Sequence, residues 1–185
     1  MRVLTKRGEF EVFDTPYWHL VSKDSETFCN NVWVADGILG SVSAWIEAEP
    51  QIENAQTHYS FHRGSDPKEQ VFERIRQEKF PHLPSRLKTF YLFESKASAE
   101  AMRNLWFPGE SRQLVEARIW TRAKIHHADS RWLDGNESDW VSRAERYWLG
   151  DMTTDPRIEV IVHGAVYFPN WSSFPCRLSG KTNWE

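Results

Sequence analysis

The chain is poor in the residues from which several familiar protein classes are built. It holds two cysteines, Cys29 and Cys176, in 185 residues. That excludes a disulfide framework, and their separation is not that of metal ligands. The nine glycines are scattered, so neither a glycine-rich phosphate loop nor a dinucleotide-binding fingerprint can be assembled. No G-x-S-x-G elbow is present. No apolar run approaches the roughly 20 residues of a membrane span. The start, MRVLTKRGEFEVFD, has no apolar signal core. The expectation is a soluble, cytoplasmic protein with no membrane partner. Neither sign of charge dominates, because 23 basic and 26 acidic residues give −3. Such a balance neither invites nucleic acid nor excludes it.

What is present is a globular composition, 40% hydrophobic and 26% charged, in a length suited to one domain over residues 1–185. Ten tryptophans are the unusual feature. Most are expected to fill a core, with Trp18, Trp106 and Trp148 inside predicted elements; a stacking wall for a base or ring is the sharper use.

No repeat or long linker divides the chain. GEFEVF and PYWHLV read as short strands broken at Asp14-Thr15-Pro16. Residues 37–49 read as a short helix ended before Pro50, and residues 51–65 as loop with a possible strand at THYSFH. SDPKEQVFERIRQEKF is a helix with Asp66 as cap, Pro67 at its first position and Val71, Phe72 and Ile75 on its apolar face. KTFYLF is a strand, and SKASAEAMRNLW a helix opening on a serine cap. QLVEARIW alternates as a strand, and ESDWVSRAERYWL is a helix stopped at Gly150. RIEVIVHGAVYFP is one bent strand or two meeting at Gly164, and the tail from Asn170 reads as irregular. Strands and helices mix without a regular βαβ beat, so the fold class is α+β.

The candidate chemistry lies in polar residues at apolar places. His19 sits inside YWHLV, Tyr91 inside TFYLF, and Glu159 at the mouth of IEVIV. Each alone reads as a strand residue at a surface or in a satisfied core. His126-His127 are neighbours on a strand and point to opposite faces, which suits a solvated strand end better than a shared metal. Pro84-Ser85-Arg86 sets a fixed cation directly ahead of the TFYLF strand. A turn alone does not need that arginine, whereas a site holding an anion does.

In chain order these pieces resemble the ADP-ribosyltransferase superfamily of the H-Y-E kind. More closely they resemble little-characterised bacterial and phage domains in its neighbourhood. The resemblance rests on Pro84-Ser85-Arg86, on TFYLFESKASAEA, on the Ala144–Gly150 segment AERYWLG, and on Glu159-Val160-Ile161-Val162-His163-Gly164. It implies an ADP-ribosyltransferase-like split β-sheet flanked by helices, with NAD as substrate. The implied reaction breaks the nicotinamide–ribose bond and transfers ADP-ribose to a macromolecular acceptor, protein or nucleic acid, or to water. Glu159 would favour the positive charge that develops on the ribose. Tyr91 would stack on nicotinamide, and His19 would hydrogen-bond the adenosine ribose. Tyr17, Ser85 and Arg86 would line the NAD site, Arg86 through its fork on a phosphate. His62-Arg63-Gly64 is an alternative first-strand signature, which would make Arg63 the anchor. Arg157 stands where arginine-modifying members carry Glu or Gln, which puts arginine as target in doubt.

A rival of another class is a non-catalytic nucleic-acid- or protein-binding, inhibitory module. It rests on the stretch Arg112–Arg131, with five Lys or Arg against two acids and with Trp120 and two histidines interleaved.

Overall fold

A computed structural model describes residues 1–22 and 25–174. Cys176 and most of the expected irregular tail lie outside the described residues. In chain order the elements begin with strands β1 (Arg2–Thr5), β2 (Gly8–Glu11) and β3 (Tyr17–Ser22), helix α1 (Glu26–Val34) and strand β4 (Ile38–Gly40). Helices α2 (Val42–Ala48), α3 (His58–Arg63) and α4 (Pro67–Lys79) follow, then strand β5 (Phe90–Leu92) and helix α5 (Lys96–Trp106). Strands β6 (Arg112–Ile119) and β7 (Lys124–Asp129), helix α6 (Trp140–Leu149) and strands β8 (Ile158–His163) and β9 (Ala165–Tyr167) complete them. The mixture is α+β.

Internal contacts divide the chain into two compact units. One takes in Met1–Leu39, Phe93–Thr121 and Val166–Glu185, the other Gly40–Leu92 and Arg122–Ala165. In the first, β1 and β2 form a hairpin. β3 runs antiparallel to β6, with His19 opposite Val115, in a sheet ordered β3-β6-β9-β4. α5 starts at Ser95, whose hydroxyl accepts from the Ser98 amide at 3.0 Å. Its Ala99 and Met102 bury against Leu20 and Phe93, with Trp18 and Trp106 packed beside them. Cys29 is buried in α1.

In the second unit β8 lies antiparallel between β5 and β7. β8 is buried on both faces from Glu159 to Val162, which is why it reads as a continuous apolar run rather than an alternating one. α4 and α6 bring Phe72, Ile75, Ala144, Tyr147 and Trp148 against Ala128 and Ile161. Asp66 caps α4 by accepting from the Lys68 amide at 2.9 Å. α6 ends on Gly150, whose φ of 76° is the left-handed conformation that glycine adopts without strain. Gly164 also has a positive φ, 135°, and a Cβ there would stand 2.8 Å from the Ala123 Cβ. The chain can only turn there on a residue without a side chain, so the terminal run is two strands, not one.

Three local expectations are corrected. THYSFH is not a strand but the helix α3, because Thr57 and Ser60 cap it reciprocally, side chain to backbone amide, at 2.9 Å each. Residues 37–49 are not one helix: Ile38–Gly40 pair as β4 before α2 begins. His126 is not at a solvated strand end. It is buried, with Nε2 3.1 Å from the Tyr147 carbonyl and its ring stacked on Trp148 at 5.6 Å.

Candidate functional site

The turn ahead of β5 carries Arg86 into the interior of the second unit. Ser85 fixes the turn: its hydroxyl donates to Glu73 at 2.9 Å and accepts from the Leu87 amide at 3.2 Å, while its carbonyl accepts from Thr89 at 2.7 Å. Arg86 is 4% exposed, and the two carboxylates it meets, Glu69 of α4 and Glu159 of β8, are 4% and 1% exposed. Its Nε donates to Glu69 at 3.1 Å. Nη1 donates to Glu159 and, at 2.7 Å, to the Tyr147 hydroxyl. Nη2 donates to the Tyr59 hydroxyl at 3.0 Å. The phenols extend the network, since Tyr59 donates to Glu69 at 2.6 Å, Tyr147 donates to Glu159, and Tyr91 donates to the Arg86 carbonyl at 2.6 Å. The guanidinium carbon lies 5.1 Å, 5.4 Å and 5.7 Å from the rings of Tyr147, Tyr91 and Tyr59, inside cation–π range.

The electrostatics follow from this enclosure. Burial raises the Glu159 carboxyl above its ordinary range, against the opposing pull of Arg86 and the Tyr147 hydroxyl. Burial also works on Glu69, but there the Arg86 charge, with hydrogen bonds from Arg86 and Tyr59, outweighs it and lowers the carboxyl. Tyr91 and Tyr147 are raised by burial, so both remain neutral hydroxyl donors. Every nitrogen of Arg86 has a protein acceptor. The anions that this cation meets are therefore the protein's own.

Of the residues singled out from the sequence, Arg86, Tyr91 and Glu159 come together in this cluster, with Ser85 at its edge. Arg63 lies in the same unit at the end of α3, exposed and 3.6 Å from Asp66. Tyr17 and His19 belong to the other unit, on β3. There His19 packs 5.5 Å from the Phe28 ring and 6.1 Å from Phe168. Tyr17 is raised by burial and then by Glu94. Sequence reasoning missed Glu69, Tyr59 and Tyr147 as members. Glu69 had one readable signal, its place three residues before Phe72 on the face that α4 buries.

The basic stretch Arg112–Arg131 is divided between the two units, and four of its five cations are met by carboxylates. Arg112 pairs with Glu110 at 2.9 Å, Arg118 with Glu116 at 2.6 Å and Lys124 with Glu47 at 3.4 Å, and Arg131 pairs with Asp155. Among the described residues no group of three or more His, Cys, Asp or Glu is placed to hold a metal ion. Among them too, no helix is long and apolar enough to cross a membrane.

No curated protein matches the chain. A family model described as a protein of unknown function, DUF2441, matches residues 35–170. The match spans the whole Arg86 cluster and leaves out Tyr17 and His19. It corrects the enzyme descriptors that the resemblance implied: ADP-ribosyltransferase, NAD, transferase and glycosyltransferase do not stand, because the family that matches is described by no activity. With most of its length covered by that model, the chain belongs to the DUF2441 family of proteins of unknown function.

Proposed function

We propose that this protein works by binding a protein partner through apolar contact. The observation that carries this reading is on α6. Its inner residues Ala144, Tyr147 and Trp148 are buried, while Val141 near its start and Leu149 at its end remain 45% and 61% exposed. Met152, just beyond the helix, is 47% exposed, and Phe61 of α3 in the same unit is 70% exposed. Single exposed apolar residues are common, but four large ones in one unit, two of them on a helix already anchored by its other face, are the kind of surface that partners cover. Charge supports a protein over nucleic acid, because four of the five cations of Arg112–Arg131 are paired with neighbouring carboxylates. Phosphate backbones are bound by unpaired Lys and Arg, with steep dependence on salt.

The test places a photo-cross-linking amino acid at Leu149 and, as control, at Glu78, whose side chain is 51% exposed on α4. The expected result in the native host is a discrete adduct from position 149 that is absent from position 78 and lost on Val141→Asp. The same ladder of adducts from both positions would overturn the reading. Tight, steeply salt-dependent binding of a labelled single-stranded oligonucleotide would replace it with the nucleic-acid reading.

A further inference from the structure

Outside the Arg86 cluster, the second unit holds a serine, a histidine and a glutamate joined in one hydrogen-bonded line. Ser43 and Glu47 lie four residues apart on α2, hence on one face of that helix. His163, the last residue of β8, stands between them. Its Nδ1 is 2.8 Å from the Ser43 hydroxyl, and its Nε2 is 3.0 Å from the Glu47 carboxylate. Lys124 lies opposite His163 in the β7–β8 register and reaches Glu47 at 3.4 Å.

The direction of the protons can be deduced from the neighbours. The Ser41 hydroxyl oxygen accepts from the amides of Ala44 at 3.2 Å and Gly164 at 3.1 Å. Its own hydrogen is thus left for Ser43 Oγ, 3.0 Å away. Ser43, having accepted there, directs its single hydrogen to His163 Nδ1. An imidazole that accepts at Nδ1 carries its proton at Nε2 and donates it to Glu47.

The backbone holds this line in place. The Ser41 amide donates to the Gly164 carbonyl at 2.8 Å, and the Ser43 amide donates to the Lys88 carbonyl at 2.8 Å. The start of α2 is thereby fastened both to the turn after β8 and to the turn before β5. The His163 side chain is 12% exposed, whereas the Glu47 side chain is 62% exposed. The line therefore meets solvent at its carboxylate end, and Ser43 is half-buried, unlike the closed cluster around Arg86.

We propose that Ser43 is a nucleophile, with His163 as its general base and Glu47 as the positioning residue that orients the imidazole. The ligand class is an activated acyl or phosphoryl ester. In the acyl case the Ser43 proton passes to His163 Nδ1 as Oγ bonds to the ester carbon. The ester C–O bond then breaks, and its oxygen leaves with the proton from Nδ1. Water reverses the sequence: it gives a proton to Nδ1, its oxygen bonds to the acyl carbon, and Ser43 recovers its hydrogen as the carboxylic acid departs. The two imidazole nitrogens are exchanged relative to the familiar serine triad, which leaves the chemistry intact because either nitrogen can take the proton.

The test is labelling of the full chain with a fluorophosphonate probe, in which Ser43 Oγ bonds to phosphorus and the P–F bond breaks to release fluoride with the serine proton. Adducts are mapped by peptide mass. Expected are a single adduct on Ser43, none in Ser43→Ala, and a rate at least about 100-fold lower in His163→Ala. Added imidazole should partly restore that variant. Glu47→Gln should slow labelling by about tenfold, Glu47→Asp should recover part of it, and both should leave the unfolding midpoint unchanged. An unlabelled Ser43 in folded wild-type protein, or labelling that survives His163→Ala, would overturn the proposal. A line that served only structure would lower the unfolding midpoint in these variants and would give no adduct.

Discussion

Arg86 joins α4, α6 and β8 inside the second unit through Glu69, Tyr147 and Glu159, and its removal gives an informative perturbation. In Arg86→Leu the cation goes, but Glu69 and Glu159 remain, 4% and 1% exposed. Replacing a whole buried ion cluster by apolar groups can be neutral, whereas removing one partner leaves uncompensated charge and costs about 3–5 kcal/mol. Tyr59 and Tyr147 still donate to the two carboxylates, so about 4 kcal/mol is the expected loss at neutral pH. With a urea slope of about 2 kcal/mol/M, the midpoint should fall by about 2 M, read by tryptophan fluorescence. The deficit should depend on pH with a definite sign. Without Arg86, burial raises both carboxyls, so the folded state binds more protons than the unfolded one above about pH 4.3. The variant's stability must then fall as pH rises, and its deficit must be larger at pH 8 than at pH 5. A loss below about 1 kcal/mol, the level of an exposed pair, with no trend in pH, would refute the account of this cluster as closed and buried. Arg86→Lys separates charge from geometry: a compact ammonium cannot span Glu69, Glu159, Tyr59 and Tyr147 together, and about 2–3 kcal/mol should still be lost.

Three further outcomes are expected. Gly150→Ala should cost about 1 kcal/mol, because its φ of 76° is left-handed while the nearest atom a Cβ would meet, the His127 carbonyl oxygen, lies at an ordinary 3.5 Å; a thermal melt unchanged within error would contradict it. Asp129 accepts from the amides of Arg131, Thr153 and Arg157 at 2.9 Å each and from the Thr153 hydroxyl at 2.6 Å. Burial opposes its charge, but these bonds hold its carboxyl below the ordinary value of 3.8, so its contribution is present above that pH and lost as acid passes its folded pKa; Asp129→Asn should flatten the acid limb of a stability–pH curve. For His126, burial lowers the folded pKa below 6.5, so its contribution is complete above that pH and is lost as pH falls through the depressed value. His126→Phe should therefore be less acid-sensitive than wild type between pH 7 and pH 5, about the interval in which an ordinary histidine titrates, and an unchanged slope in urea midpoint would count against it.

What the sequence made legible was local. Caps and stops placed α4, α5 and α6, because Asp66, Ser95 and Gly150 act through atoms within four residues of themselves. The break at Gly164 was readable as an option because glycine in an apolar run has few other meanings. Arg86 stood out as a cation with no local need, and Tyr91 and Glu159 as polar residues in apolar strands. What the cation met was not legible, since its partners Glu69, Tyr147 and Glu159 lie 17, 61 and 73 residues away. α3 was misread because Thr, Tyr and Phe favour strands, and the reciprocal cap of Thr57 and Ser60 outweighs that weak preference. The Ser43–His163 contact spans 120 residues, and its serine lies in a segment read only as a short helix. Its four-residue spacing to Glu47 carried no signal until β8 was placed beside it.

The two polar clusters of the second unit differ in the property that separates support from chemistry. Around Arg86 each donor has an acceptor inside the protein, and the participants lie at or below 5% side-chain exposure where they carry charge. A ligand would have to break existing charge-assisted bonds to enter, each with an unmet partner left behind. The line Ser41–Ser43–His163–Glu47 has the opposite form. Its protons run in one direction, its hydroxyl end is held by backbone amides, and its carboxylate end stands in water. Moving one proton along it breaks no buried ion pair. The proposed reactivity therefore belongs to the half-open line, while the closed cluster, although richer in ionisable groups, belongs to the packed interior against which α4, α6 and β8 are set.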